Sequence, residues 1–389
     1  MITHVTSILA AHLEAMVLER RRQGDDDGDD DEGEEELLND DLRNDLKLLV
    51  KMVASMYHAV PYHSFDHAHH VVSAVNDLLD MLVPVDDDDD DDEEEDEETA
   101  NDVTTQSQQS QQSQQPKHPC SHYLYSNIPL RFASVFAALI HDVDHTGIIN
   151  PRLVAEDHPL ALFYGGDSIA EKNSIVVGMM ILMRPEFTVL RETIMFPSQG
   201  DFERFLTVVL KLIKVTDIGN AQANKTILNA WQEAFGEYNL PAQQQQVLEE
   251  GQQYSTQSFS NHPPSVLLEN GDCTCLDQKR ATAVLYYIMR SSDVLHLMED
   301  WDTFLKWCKR CYVEFQAAYR AGKGDDPGCT SWYEGQVVFL DGYVAPLAQR
   351  LHSSGAFGEF GTDMIDNIYA SRSKWLEEGY EISLQLYHQ

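Results

Sequence analysis

The stretch Ala137-Ala-Leu-Ile-His141-Asp142-Val-Asp144-His145-Thr-Gly147 constrains this chain more than any other. Four apolar residues, Ala137 to Ile140, run straight into His141, Asp142, Asp144 and His145. An apolar run that enters a core draws the adjacent carboxylates toward it. A carboxylate buried without a counter-charge is too costly to keep. A bound cation resolves the conflict, whereas a plain polar helix end does not. Two other segments offer matching groups. Tyr62-His63-Ser64-Phe65-Asp66-His67-Ala68 lies upstream, and Asp293 closes a segment whose apolar run is Val284 to Met289. Imidazole nitrogens and carboxylate oxygens are ligands of hydrolytic divalent metals. The chain is therefore expected to assemble a metal site across several helices.

The frame around these groups reads as helical. Leu46, Leu48, Leu49, Met52, Val53 and Met56 fall close to a 3.6-residue spacing. Helices are expected over 1–20, 37–60, 63–82, 130–139, 168–183, 202–216, 224–238, 278–296, 302–319, 334–351 and 363–377. No run alternates apolar and polar residues long enough to build a sheet. The expected fold is all-α, a compact multi-helix domain with three acidic or Gln-rich insertions. The domain reading is N-terminal helices with an acidic loop over 1–56, a central helical domain carrying the candidate metal ligands over 57–352 and a C-terminal helix over 353–389. Residues 84–120 and 243–275 are low-complexity insertions within it.

Charge is concentrated in a few places. Residues 25–36 hold ten carboxylates and 86–98 are thirteen in a row. Subtracting those 23 from the net charge of −38 leaves −15, ordinary for an enzyme. The acid runs repel themselves and carry nothing apolar to bury, so they read as solvated loops. They lack the spaced ligands and turn glycine of a calcium loop. The acidic sign argues against nucleic acid and anionic membranes as partners. No apolar stretch approaches the roughly 20 residues that a membrane span needs. Six cysteines in 389 residues make no dense disulfide framework. Cys273 and Cys275 with Cys308 and Cys311 have the spacing of a zinc clip. Reduced cysteines in a cytoplasmic setting are the simpler expectation.

Within the clusters, His63 and His67 stand four apart, which on a helix puts both on one face. His141 and Asp142 are about 100° apart around a helix and reach one metal only near its end, which Gly147 can supply. His145 lies one turn beyond His141. Asp142 and Asp144 point to different sides and so have different jobs. Asp293 alone is ambiguous, because Ser291-Ser292-Asp293 also reads as a helix N-cap.

Taken together, residues 57–350 resemble the catalytic domain of class I 3',5'-cyclic-nucleotide phosphodiesterases, within the HD-type metal phosphohydrolases. The family's Tyr-His-Asn-x-x-His-Ala is represented by Tyr62 to Ala68, and its His-Asp-x-Asp-His-x-Gly-x-x-Asn is complete from His141 to Asn150. Leu162-Phe163-Tyr164 followed by Asp167 to Glu171, Thr216-Asp217, Ser292-Asp293, Glu314-Phe315 and Gln336 to Leu340 match further elements in order.

The resemblance implies hydrolysis of 3',5'-cyclic nucleotides, cAMP or cGMP, to 5'-monophosphates in signal transduction. It implies two divalent metals, zinc with magnesium or manganese. His67, His141, Asp142 and Asp293 would hold the tight metal, with Asp142 bridging to the second. His63 would be the general acid, and His145 and Glu171 would orient ligands and waters. Gln336 would hydrogen-bond the purine and Phe339 would stack on it. An amide both donates and accepts, so Gln336 suits adenine or guanine. The chain departs from the pattern at Ser64, His70, Asn173-Ser174, Ala221, Arg290 and Val294-Leu295-His296. Arg290, three residues before the metal aspartate, would either help neutralise phosphate or disturb the metal pocket. The other readings are a phosphohydrolase acting on a different phosphoester and a non-catalytic nucleotide sensor. Regulatory domains or a dimer partner outside this chain are further expectations of the resemblance.

Overall fold

The structure is a computed structural model that describes residues 1–24, 37–82, 119–236 and 275–389. The acid runs, the Gln/Ser tract and residues 243–274 of the third insertion, with Cys273, lie outside the described residues. What is described is helical, with no strand among those residues. In chain order the α-helices are α1 (Ile2–Gly24), α2 (Asp40–Ser55), α3 (Phe65–Asp80), α4 (Pro119–Ser126), α5 (Ile128–Ile140), α6 (Asn150–Ala155), α7 (Pro159–Tyr164) and α8 (Ile169–Leu182). They continue as α9 (Gln199–Lys214), α10 (Ala221–Phe235), α11 (Cys275–Asp293), α12 (Trp301–Arg320), α13 (Thr330–Phe339), α14 (Ala345–Ser353) and α15 (Phe360–Tyr387).

The central helix is α5. Every residue from Leu130 to Ile140 is buried, as expected of a helix that is apolar nearly all round. It starts where the Asn127 side chain accepts from the Leu130 amide at 3.0 Å, which satisfies an orphan donor. It packs against α1, α3 and α9, and α3 in turn packs against α11. So α3 is flanked by the two helices whose C-termini carry the other candidate ligands. Helix α8 comes close to α5: a Cβ on Gly178 would stand 2.5 Å from Ile140 Cδ1 and 2.9 Å from Ile140 Cβ. Only glycine permits that approach, and it fixes the turn just before His141.

One apolar cluster runs through the molecule, from Val5 in α1 to Leu386 in α15. Its largest fully buried side chains include Trp231, Trp375, Phe132, Phe136 and Phe304. Burying each stabilises the fold by roughly 1.5–3 kcal/mol over leaving it exposed.

Two sequence expectations are corrected here. The segment 334–351 is not one helix: α13 and α14 are separated by a π-helical turn, Leu340–Val344. The last helix runs ten residues beyond Glu377, to Tyr387. No described helix is long and apolar enough to cross a membrane.

Candidate metal centre

Three helices deliver four ligand groups to one point. His67 sits in the first turn of α3, Asp293 is the last residue of α11, and His141 and Asp142 follow the end of α5. One ligand atom from each lies within 4.8 Å of every other. His67 Nε2 is 3.0 Å from Asp293 Oδ1 and 3.7 Å from Asp142 Oδ2. His141 Nε2 is 3.1 Å from Asp142 Oδ2 and 3.4 Å from Asp293 Oδ1.

The donor set fits a divalent cation on an observation independent of residue type. His141 Nδ1 lies 2.9 Å from the Ala138 carbonyl and donates to it. Its Nε2 then presents a lone pair toward two carboxylates, and this buried nitrogen has no hydrogen-bond partner. A lone pair facing carboxylate oxygens is repulsive unless a cation lies between them. Without one, His141 is pushed toward protonation: burial lowers its pKa, but Asp142 and Asp293 overcome that and raise it well above 6.5. The carboxylates respond in kind. Burial raises Asp142, yet His141 and His63 bring it well below the usual carboxylate range. Asp293 is likewise lowered, by His141 and His67. His67 and His141 are fully buried, while Asp142 and Asp293 keep 13% and 16% of their side chains open to solvent. The site is rooted in the core and open on its carboxylate side.

His63 does not share a helix face with His67. The first residue of α3 is Phe65, so His63 precedes the helix and the four-residue spacing carries no helical meaning. What places it is Glu314, deeply buried on α12. The Glu314 carboxylate accepts from the Tyr62 amide at 2.7 Å, from the His63 amide at 3.0 Å and from His63 Nδ1 in a short hydrogen bond. Burial disfavours a charged His63, but Asp142 and Glu314 outweigh it and hold the pKa at about 9. His145 lies beyond the end of α5, not one helical turn below His141. It stacks on His63 with centroids 3.9 Å apart. Its Nδ1 accepts from the Gly147 amide at 3.1 Å. Burial and the neighbouring His63 lower its pKa to about 4, so it stays neutral beside the charged ring. Gly147 has φ +78°, and a Cβ there would stand 3.1 Å from Glu314 Cγ.

Asp144 has φ +66° and faces the other way from Asp142, as expected. It is held by His58 Nε2 at 2.8 Å and by Asn173 Nδ2 at 2.9 Å. Glu171 hydrogen-bonds Asn150, whose Nδ2 also reaches Asp217 at 3.3 Å. Burial and Asp217 raise Glu171 to about 7. Asp293 ends a helix and does not begin one; the cap of α12 is Asp300, which accepts from the Thr303 amide at 3.0 Å. Trp307 forms a wall beside His67, with centroids 5.5 Å apart. Gln336 and Phe339 lie on α13, both half-buried, with Phe339 stacked on Tyr343 at 5.1 Å. Arg290 does neither of the things expected of it. Its guanidinium is turned to the Val215 carbonyl and the Asn224 side chain. Sequence reasoning gives Glu314 no role, since one glutamate 251 positions from His63 carries no local signal beyond the Glu-Phe match.

An all-α fold brings two histidines and two aspartates to one point able to hold a divalent cation, beside a carboxylate-backed histidine. Residues 62–355 match the 3'5'-cyclic nucleotide phosphodiesterase family, and the chain belongs to it. Two curated relatives match over short segments. The probable 3',5'-cyclic-AMP phosphodiesterase pde-4 of Caenorhabditis elegans is 28% identical over 86 residues, 22% of this chain and 12% of that protein. The 3',5'-cyclic-AMP phosphodiesterase 4C of Mus musculus is 37% identical over 59 residues, 15% of this chain and 9% of that protein. Two crystal structures of phosphodiesterase domains from the choanoflagellate Salpingoeca rosetta share the fold. The domain of the RhoPDE fusion protein superimposes with a TM-score of 0.59 at 18% identity, covering 97% of this chain and 92% of that one. The domain of the rhodopsin phosphodiesterase gives 0.61 at 16%, covering 98% and 90%.

Proposed function

We propose that this chain hydrolyses 3',5'-cyclic nucleotides to 5'-monophosphates, with residues 57–352 as its catalytic unit. The observation that carries the reading is the meeting of His67, His141, Asp142 and Asp293 at one point, with a Glu314-backed His63 beside it.

In this reading those four residues would hold zinc, and Asp142 would also serve a second cation, magnesium or manganese. When bound, the cations supply Lewis-acid activation of water and neutralise charge on phosphorus. The chain's own groups do the rest. His63, held protonated by Glu314 and Asp142, gives its proton to the 3' oxygen as the P–O3' bond breaks and water's oxygen joins phosphorus; the proton that water sheds passes to solvent, from which His63 is reprotonated. His145, neutral and fixed by the Gly147 amide, supports the His63 ring from one face. Glu171 and Asn150 orient water near the second cation. Phe339 stacks on the purine and Gln336 hydrogen-bonds its edge, which admits both bases.

Among the described residues Cys308, Cys311 and Cys329 form no disulfide, which fits the reducing, cytoplasmic setting of this proposal. The small-molecule substrate and the absence of a nucleic-acid partner belong to the same proposal.

The test is release of 5'-monophosphate from cyclic AMP and cyclic GMP, with magnesium and with chelator, against a mononucleotide control. Metal-dependent turnover that His63→Ala abolishes supports the reading. Full metal occupancy without turnover of either substrate overturns it in favour of another phosphoester or a nucleotide sensor.

A further inference from the structure

Arg290 carries a buried charge that the scheme above does not use. It lies in the last turn of α11, three residues before Asp293 and on the same side of the helix. Only 5% of it is exposed. Nε donates to the Val215 carbonyl at 2.5 Å and Nη2 to Asn224 Oδ1 at 2.6 Å. Both partners are neutral, and neutral partners repay the desolvation of a guanidinium poorly. A further contact is aromatic: Cζ stands 5.9 Å from the centroid of the Tyr343 ring. Tyr343 lies nearly parallel to Phe339, with centroids 5.1 Å apart and planes at 17°. The π-helical turn Leu340–Val344 brings these two rings over each other.

We infer that Arg290 is a positioning residue for the nucleotide base: through Tyr343 it fixes the plane of Phe339. The inference rests on the reading of Phe339 as the ring that stacks on the purine. Its logic is geometric. A cyclic nucleotide has its phosphate locked to its sugar, so phosphorus and base sit at a nearly set separation. Metal ligands and base clamp must therefore be held at a matching distance. The last turn of α11 does both, Asp293 toward the cations and Arg290 toward the clamp. The hydrogen bonds to Val215 and Asn224 keep the guanidinium from swinging away.

The experiment is steady-state kinetics with cyclic AMP and cyclic GMP on the full chain with magnesium. The variants are Arg290→Met, Tyr343→Leu, their double, Tyr343→Phe and Phe339→Leu. Arg290→Met and Tyr343→Leu should each raise KM about three- to tenfold, with kcat within about twofold. The double variant should be no worse than the worse single, because both break one relay. Tyr343→Phe keeps the ring and should keep a near wild-type KM. Lower thermal stability with unchanged KM, or additive effects in the double, would reduce Arg290 to a helix staple and overturn the inference. If Phe339→Leu itself leaves KM unchanged, the base-clamp reading fails instead. Should Arg290→Met not fold, Arg290→Lys keeps the charge and loses the fork. Zero coupling between Arg290→Lys and Tyr343→Leu overturns the inference equally.

Discussion

His63 feels two influences of opposite sign, and the balance makes it testable. Burial opposes its charge; Asp142 and Glu314 favour it and prevail, with a pKa of about 9. A histidine raised above its unfolded value of about 6.5 contributes stability that is complete below that value and lost as pH rises through the folded one. Glu314, lowered in the fold, contributes above its own unfolded value of about 4.5 and loses that as pH falls. The chelated chain should therefore lose thermal stability as pH rises from about 7 to about 9.5, and Glu314→Gln should flatten that loss. An unchanged slope in Glu314→Gln would remove the ion pair as its cause. In the metal-loaded chain, His63→Ala should lower kcat about 10²–10⁴-fold. Glu314→Gln should lower it less and move the alkaline limb of kcat/KM to lower pH, read from a pH–rate series. Of the four groups that meet, His141 and Asp142 are legible in the sequence itself, because adjacent His and Asp behind an apolar run can be buried only beside a counter-charge, whereas His67 and Asp293 join them only through the family resemblance. The partner of His63 is not. Glu314 is one carboxylate among 65 Asp and Glu, and only the fold brings it to His63.

At the scale of elements, the metal centre depends on where helices stop. Helix α5 ends at Ile140, with His141 as its C-cap still in helical backbone geometry (φ −58°, ψ −34°), so His141 and Asp142 sit where the chain leaves the helix and their side chains converge on one point. Gly178 holds that end, since its missing side chain lets α8 lie against Ile140. Gly178→Ala would gain about 1 kcal/mol of helix propensity and meet an overpacking cost of about 1–3 kcal/mol. The expected result is a net loss in thermal melts together with weaker metal affinity. Adding Ile140→Val, which removes the Cδ1 atom nearest the new Cβ, should restore part of both. Restored stability without restored affinity would show that α8 braces the core but not the ligands. Long amphipathic helices are readable from spacing because each buries one face. Helices α6 and α7, six residues each, are too short to show a period. The π turn at Leu340–Val344 is hidden for a related reason: one extra residue per turn leaves the apolar pattern of 334–351 almost unbroken.

The molecule as a whole presents an electrostatic problem that its local chemistry does not remove. A net charge of −38 faces a proposed substrate, a cyclic nucleotide, that is itself an anion. Like charge slows encounter, and salt relieves it, since screening acts over about 10 Å at 0.1 M ionic strength. Cations held at the metal centre would attract the phosphate, but over no longer range than the carboxylates repel it. The two runs at 25–36 and 86–98 carry 23 of the carboxylates and none of the proposed site residues. For the intact chain, kcat/KM should rise between about 10 mM and about 150 mM salt while kcat stays level. Excising both runs should raise kcat/KM at low salt and flatten its salt dependence, with kcat again unchanged. The measurement is kcat/KM for cyclic AMP and cyclic GMP across that series, at fixed free magnesium so that metal loading does not follow ionic strength. If the excised chain melts like the intact one and keeps the same slope, the approach is governed by fields nearer the metal centre. The residual −15 would then suffice to set the rate of encounter.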